Sequence, residues 1–109
     1  MMLHQKKCLA CEGETAPLDD REVKGHLKSL EDWDHDPKKH YIFKTFRFKD
    51  HETLMSFINA VSWISHQENH HPLISFSFRE CTISYQTHSL KALSENDFIC
   101  AAKVDYLLK

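Results

Sequence analysis

Between Ile74 and Thr87 apolar and polar residues alternate twice. The first run is Ile74-Ser75-Phe76-Ser77-Phe78, the second Cys81-Thr82-Ile83-Ser84-Tyr85-Gln86-Thr87, and Arg79-Glu80 stands between them. Successive side chains of a strand point to opposite faces, so each run presents one apolar and one polar face. Two such runs across a short polar break specify a β-hairpin, and with it an antiparallel sheet that turns one face to a core. Whatever else the chain folds into must cover that face.

The covering elements can be read on both sides of the hairpin. Asp50 is a helix cap, and Leu54, Phe57, Ile58, Val61 and Ile64 fall on one stripe at helical spacing, in a helix expected to run to about Glu68. Pro72 then forbids a helix and pushes His71 toward extended backbone. Upstream, Asp19-x-x-Glu22 has the form of a capping box, followed by Val23, Leu27 and Leu30 at i, i+4 and i+7. Downstream, Ser94-x-x-Asp97 opens a last helix with Phe98, Ala101, Val104, Tyr106 and Leu108 among its apolar positions. Before Asp50, Trp33 leads into the turn-rich Asp34-His35-Asp36-Pro37, expected to end one strand and begin a connection. His40 to Phe48 is rich in β-formers, with Ile42, Phe46 and Phe48 on one face and Lys44 as the exception to clean alternation. The order helix, strand, strand, helix, strand, strand, helix predicts an α+β fold: a four-stranded antiparallel sheet with three helices on one face. A single domain is expected over residues 1–109, with 1–17 as an irregular leader.

Composition removes several function classes. The 109 residues carry a net charge of -2, without the basic excess of a nucleic-acid-binding face. Two glycines, Gly13 and Gly25, cannot write a Gly-rich phosphate cradle. No apolar run follows the charged start, and the most apolar stretch, Phe57 to Ile64, is interrupted by Asn59 and Ser62 and is too short to span a bilayer. The four cysteines then read as reduced thiols, and the expected location is the cytoplasm.

Nine histidines are the unusual number. The run His66-Gln67-Glu68-Asn69-His70-His71-Pro72 lies where the long helix gives way to a strand, and His88 follows the second run of the hairpin. Element junctions let side chains reach a cleft from a rigid backbone, and imidazole, with an ordinary pKa of roughly 6.5, suits proton transfer near neutral pH. Taken singly, each residue has an ordinary explanation: a solvated turn for His70 and His71, a helix-start residue for Asp97. Cys8-x-x-Cys11 has zinc-site spacing, but Cys81 and Cys100 are isolated and form no second pair. His66-x-x-x-His70 has helical metal-pair spacing without the glutamate of the His-Glu-x-x-His pattern.

In combination the residues are more specific. His66, His70-His71-Pro72, Phe78, His88 and Asp97, in that order and spacing, resemble the signature of the pterin-4a-carbinolamine dehydratases. Ile42 to Asp50 resembles that family's first long strand and helix cap, Thr87-His88 with Leu93 to Asp97 its later segment, and Cys8-x-x-Cys11-Glu12-Gly13 the leader of many bacterial members. The resemblance implies dehydration of 4a-hydroxytetrahydropterin to the quinonoid dihydropterin, which recycles the cofactor of aromatic amino-acid hydroxylases such as phenylalanine hydroxylase. It implies no metal or organic cofactor, and assembly as dimers or tetramers. By matching positions, His70, His71 and His88 line the pterin pocket, with His70 and His88 transferring protons, His71 binding the pterin and Asp97 orienting a histidine or holding the pocket's polar network. Asn69 and the segment Gln86, Thr87, His88 and Ser89 match positions that contact substrate. The chain departs from the family's frequent acids at His66, Asn69 and Leu73. Some relatives act as dimerisation partners of transcription regulators, so a non-catalytic binding module is the alternative.

Overall fold

The computed structural model describes residues 2–9 and 15–109; Cys11 and Gly13 fall outside them. Three helices, α1 (Asp20–Lys28), α2 (His51–Glu68) and α3 (Glu95–Tyr106), accompany four strands, β1 (Asp34–Asp36), β2 (Tyr41–Arg47), β3 (Leu73–Phe76) and β4 (Glu80–Tyr85). The strands form one antiparallel sheet in the order β1-β2-β4-β3. This is the expected α+β arrangement. Short 3₁₀ turns at Leu3–Gln5 and His88–Leu90 complete it.

The central pair sets the register of the core. Ile42 lies opposite Tyr85 and Phe46 opposite Cys81 on the β2–β4 ladder, and Ile83 pairs with Ile74 of β3. Ile42, Phe46, Cys81, Ile83 and Tyr85 are buried together with Leu54, Phe57, Val61 and Ile64 of α2 and Phe98, Ala101 and Val104 of α3. Full burial of each large apolar side chain contributes about 1.5–3 kcal/mol. Lys44 also belongs to the core face of β2, and α3 explains why: its ammonium lies 3.0 Å from Asp105. The opposite face of the sheet is tied by a Thr45–Thr82 hydroxyl bond of 2.8 Å.

The helix ends follow their caps. Asp50 accepts from the Thr53 amide at 2.7 Å, and α2 stops at Glu68, as its stripe predicts. Asn69 then adopts φ 51°, ψ 43°, and the His70 amide donates back to the Ser65 carbonyl at 3.2 Å, closing the last turn. One expectation needs correcting: Asp34–Asp36 is itself β1, not the turn after a strand. Its pairing with Tyr41–Phe43 supplies what its polar residues do not announce. Phe76 and Phe78 are exposed on the β3 side, whereas Ile83 and Tyr85 are core. No helix among the described residues is long and apolar enough to cross a membrane.

Candidate active site

The left-handed turn at Asn69 redirects the chain so that His70 enters the interior while its neighbours stay outside. His70 is only 5% exposed, and its ring stacks on Tyr85 at 7° between planes, with centroids 5.8 Å apart. Its Nε2 lies 2.7 Å from Oδ1 of Asp97, a side chain with no exposure at all. A carboxylate only accepts, so this contact fixes a proton on Nε2.

Asp97 owes its position to the first turn of α3. Its Oδ2 accepts from the Ser94 amide at 2.9 Å, the capping-box bond, and from the Thr87 hydroxyl, also at 2.9 Å. Thr87 spends its one hydroxyl proton on Asp97, so Ser94 Oγ donates to Thr87 Oγ1 across 2.7 Å. One buried carboxylate therefore gathers the end of α2 through His70 and the end of β4 through Thr87. Burying it is tolerable because three donors satisfy it.

His88 adjoins Thr87 and opens the 3₁₀ turn His88–Leu90, whose start is held by the Thr87 amide on the Ala92 carbonyl at 3.1 Å. His71, His88, Ser89 and Asn69 are all exposed. Gln86 is half-buried, and its amide nitrogen donates to the carbonyls of Lys39 and His40, tying the end of β4 to the β1–β2 turn. The structure thus joins His70, Thr87 and Asp97 directly, keeps His71 and His88 solvent-accessible beside them in the chain, and turns Gln86 toward the first hairpin.

Ser94 and Tyr85 belong to this arrangement although they read in sequence as a helix start and a core residue. The capping-box spacing was the available signal for Ser94; nothing local marks Tyr85. The Tyr85 hydroxyl is buried without a hydrogen-bond partner among the described residues, and the nearby Ser65 hydroxyl donates to the Val61 carbonyl at 3.1 Å. Burial pushes the Tyr85 phenol well above its ordinary pKa. A cleft of about 670 Å³ opens at the other end of α3, lined by Leu3, His4, Leu30, Lys44, Asp105 and Tyr106 among others. Lys44 and Asp105 pair with each other in its wall, and none of His70, His71 and His88 borders it. Among the described residues no three His, Cys, Asp or Glu side chains converge on a metal position.

Comparison with known proteins decides the family. The model for pterin 4 alpha carbinolamine dehydratase matches residues 16–107. The chain belongs to the pterin 4 alpha carbinolamine dehydratase family. A relative from Nitrosomonas eutropha, provisionally named pterin-4-alpha-carbinolamine dehydratase, is 48% identical over 97% of this chain and 93% of its own length. Another from Nitrosospira multiformis, named likewise, is 45% identical over 98% and 93%. Among solved structures, a transcriptional coactivator/pterin dehydratase from Brucella melitensis superposes with a TM-score of 0.83 at 23% identity. It covers 86% of this chain and 100% of that one, a likeness of fold. A pterin dehydratase-like protein described as a RuBisCO assembly factor in the alpha-carboxysome matches with a TM-score of 0.62 and 27% identity, over 71% of this chain and 89% of its own. Members of this family fold are thus described in catalytic and in assembly terms.

Proposed function

We propose that this chain is a hydro-lyase that dehydrates 4a-hydroxytetrahydropterin to the quinonoid dihydropterin and water, by histidine general acid–base catalysis. The carrying observation is the Asp97 carboxylate, which bonds His70 directly and Thr87, the neighbour of His88, with its other oxygen. Cleavage of the C4a–O bond needs one proton delivered to the departing hydroxyl and one removed from ring N5. His70 and His88 perform these two transfers, His71 binds the pterin, and Asp97 orients His70. Asn69 and Ser89, exposed beside His70 and His88, contact the substrate, while Thr87 acts from the interior through Asp97 and Gln86 braces the end of β4. Positioned proton transfer of this kind is worth roughly 10²–10⁴-fold. No metal or organic cofactor takes part in this reading. Its biological setting is the cytoplasm, where the product re-enters the cofactor cycle of an aromatic amino-acid hydroxylase such as phenylalanine hydroxylase.

Self-association accompanies the activity. β3 is an edge strand, and Leu73, Phe76 and Phe78 on and beside it are exposed apolar side chains. A second copy is the occupant that fits, as a dimer or tetramer, because an exposed apolar edge pairs readily with its like. Sedimentation velocity on the wild type and Phe76→Lys measures this.

The two structural relatives favour one other reading, a non-catalytic module that binds a regulator or assembly partner. Ultraviolet-monitored turnover of freshly generated 4a-hydroxytetrahydropterin separates the two. Acceleration over spontaneous dehydration by the wild type, lost in folded His70→Ala and His88→Ala, supports the enzyme. A folded wild type that leaves the spontaneous rate unchanged refutes it in favour of the module.

A further inference from the structure

The amino-terminal residues 2–9 dock closely against α2 and α3. The Cys8 amide donates to Glu68 at 2.8 Å, and the Asn96 side chain clasps Leu9 from both sides, accepting from its amide at 3.0 Å and donating to its carbonyl at 2.8 Å. Lys103 reaches the His4 carbonyl at 2.9 Å, and His4 stacks on Tyr106 with centroids 4.1 Å apart. This docking presses two thiols together. Sγ of Cys8 lies 3.6 Å from Sγ of Cys100, a residue 92 positions away in the chain.

We propose that Cys8 and Cys100 form a reversible disulfide, a thiol–disulfide exchange site that latches the amino-terminal segment onto α3. A disulfide bond is about 2.05 Å long, so the sulfurs must close by about 1.5 Å. Rotation about the Cys8 side chain and a small shift of its segment supply that movement, while Cys100 stays fixed in the core. Exposure assigns the roles. Cys8 is half-buried and meets solvent, whereas Cys100 is fully buried. An oxidised low-molecular-weight thiol, RSSR, is the oxidant. The Cys8 thiolate attacks one of its sulfurs, forming a mixed disulfide and expelling one RS⁻, which takes up the proton Cys8 gave. Cys100 then loses its proton and attacks the Cys8 sulfur, and the second RS⁻ leaves as RSH. In sum two protein thiols are oxidised and one RSSR is reduced to two RSH. Contact with Cys8 and burial push the Cys100 thiol far above its ordinary range. Capping Cys8 removes the part of that shift due to their contact while burial remains, so the second step is the slow one.

Cys81 sits in the sheet core and is not part of the pair; Cys11, three positions from Cys8, is the competitor to exclude. The full-length chain is treated with oxidised glutathione at pH 8, quenched with an alkylating agent, denatured and peptide-mapped. The expected result is loss of two of the four free thiols, a peptide crosslinked through Cys8 and Cys100, and a Tm raised by about 10 °C that dithiothreitol reverses. Cys11→Ser keeps the crosslink. Cys8→Ser, at a half-exposed site that leaves the core intact, abolishes both crosslink and Tm shift. A Cys8–Cys11 crosslink, a stable glutathione adduct on Cys8 with Cys100 still alkylated, zinc bound in place of oxidation, or no thiol loss each overturns the proposal.

Discussion

Two aspartates on α3, Asp97 and Asp105, each bind across the fold, and they do different work. Asp97 has no solvent exposure and holds an imidazole, a hydroxyl and an amide. Asp105, eight residues and about 12 Å further along the helix, has a side chain 13% exposed. It holds the Lys44 ammonium with Oδ1 and the Trp33 indole with Oδ2, each at 3.0 Å. Ammonium and indole only donate, whereas imidazole both donates and accepts. The carboxylate is the same in both places. Its partner decides whether the contact can sit in a proton path or only fastens the sheet to the helix.

The largest effect should come from setting the two against each other in turnover. Asp97→Asn is expected to lower kcat by at least about 100-fold with the fold retained by circular dichroism, while Asp105→Asn stays within about threefold of wild type. Equal losses in the two variants would erase the distinction. In stability the order reverses in meaning: Asp105→Ala strands the half-buried Lys44 and should cost about 2–3 kcal/mol in urea unfolding.

Alkaline pH sharpens the contrast, because the Asp97 end rests on the sheet that carries Tyr85 and Cys81. Burial and the nearby Glu80 push the Cys81 thiol up to about 11, and burial raises the Tyr85 phenol further. Both groups have folded values above their unfolded ones, so stability is full below the unfolded values, about 8.5 for Cys and 10 for Tyr, and is lost as pH rises through them toward the folded values. The unfolding free energy from urea titration should fall between pH 8 and pH 10.5 by on the order of 2 kcal/mol, with the same fall in Asp105→Ala. A pH-independent midpoint would contradict this. The smallest effect is expected at Tyr85→Phe. Its hydroxyl lacks a partner, so removal should change stability at pH 7 by less than about 0.5 kcal/mol in the same assay.

The sequence was most legible where a cap and a stripe agree. Asp50, five apolar positions and Pro72 bracket α2 to the residue, and strict alternation marks β4. β1 was illegible as a strand because three polar residues, Asp34-His35-Asp36, owe their conformation to the β2 ladder. At the site, the histidine spacing and the Ser94-to-Asp97 box were readable and the resemblance implied that Asp97 orients a histidine, yet that the histidine is His70, 27 residues away, follows from packing. The same holds for Lys44, which looked like an error of alternation until α3 supplied Asp105. The leader was hidden for another reason. Its hold on Glu68 and Asn96 is made by its own backbone, which carries no compositional mark.

The left-handed backbone at Asn69 bears on how this chain tolerates substitution. At φ 51° a Cβ meets the following carbonyl, and glycine, asparagine and aspartate adopt that region most readily, although this chain also holds His40 and Lys91 there. A saturation library at position 69 selected for turnover should therefore return Asn, Asp and Gly and few others. The family's frequent acid and this chain's amide both belong to that short alphabet. A difference of one full charge at position 69 is thus a neutral exchange for the backbone, because a single torsion angle limits the choice there.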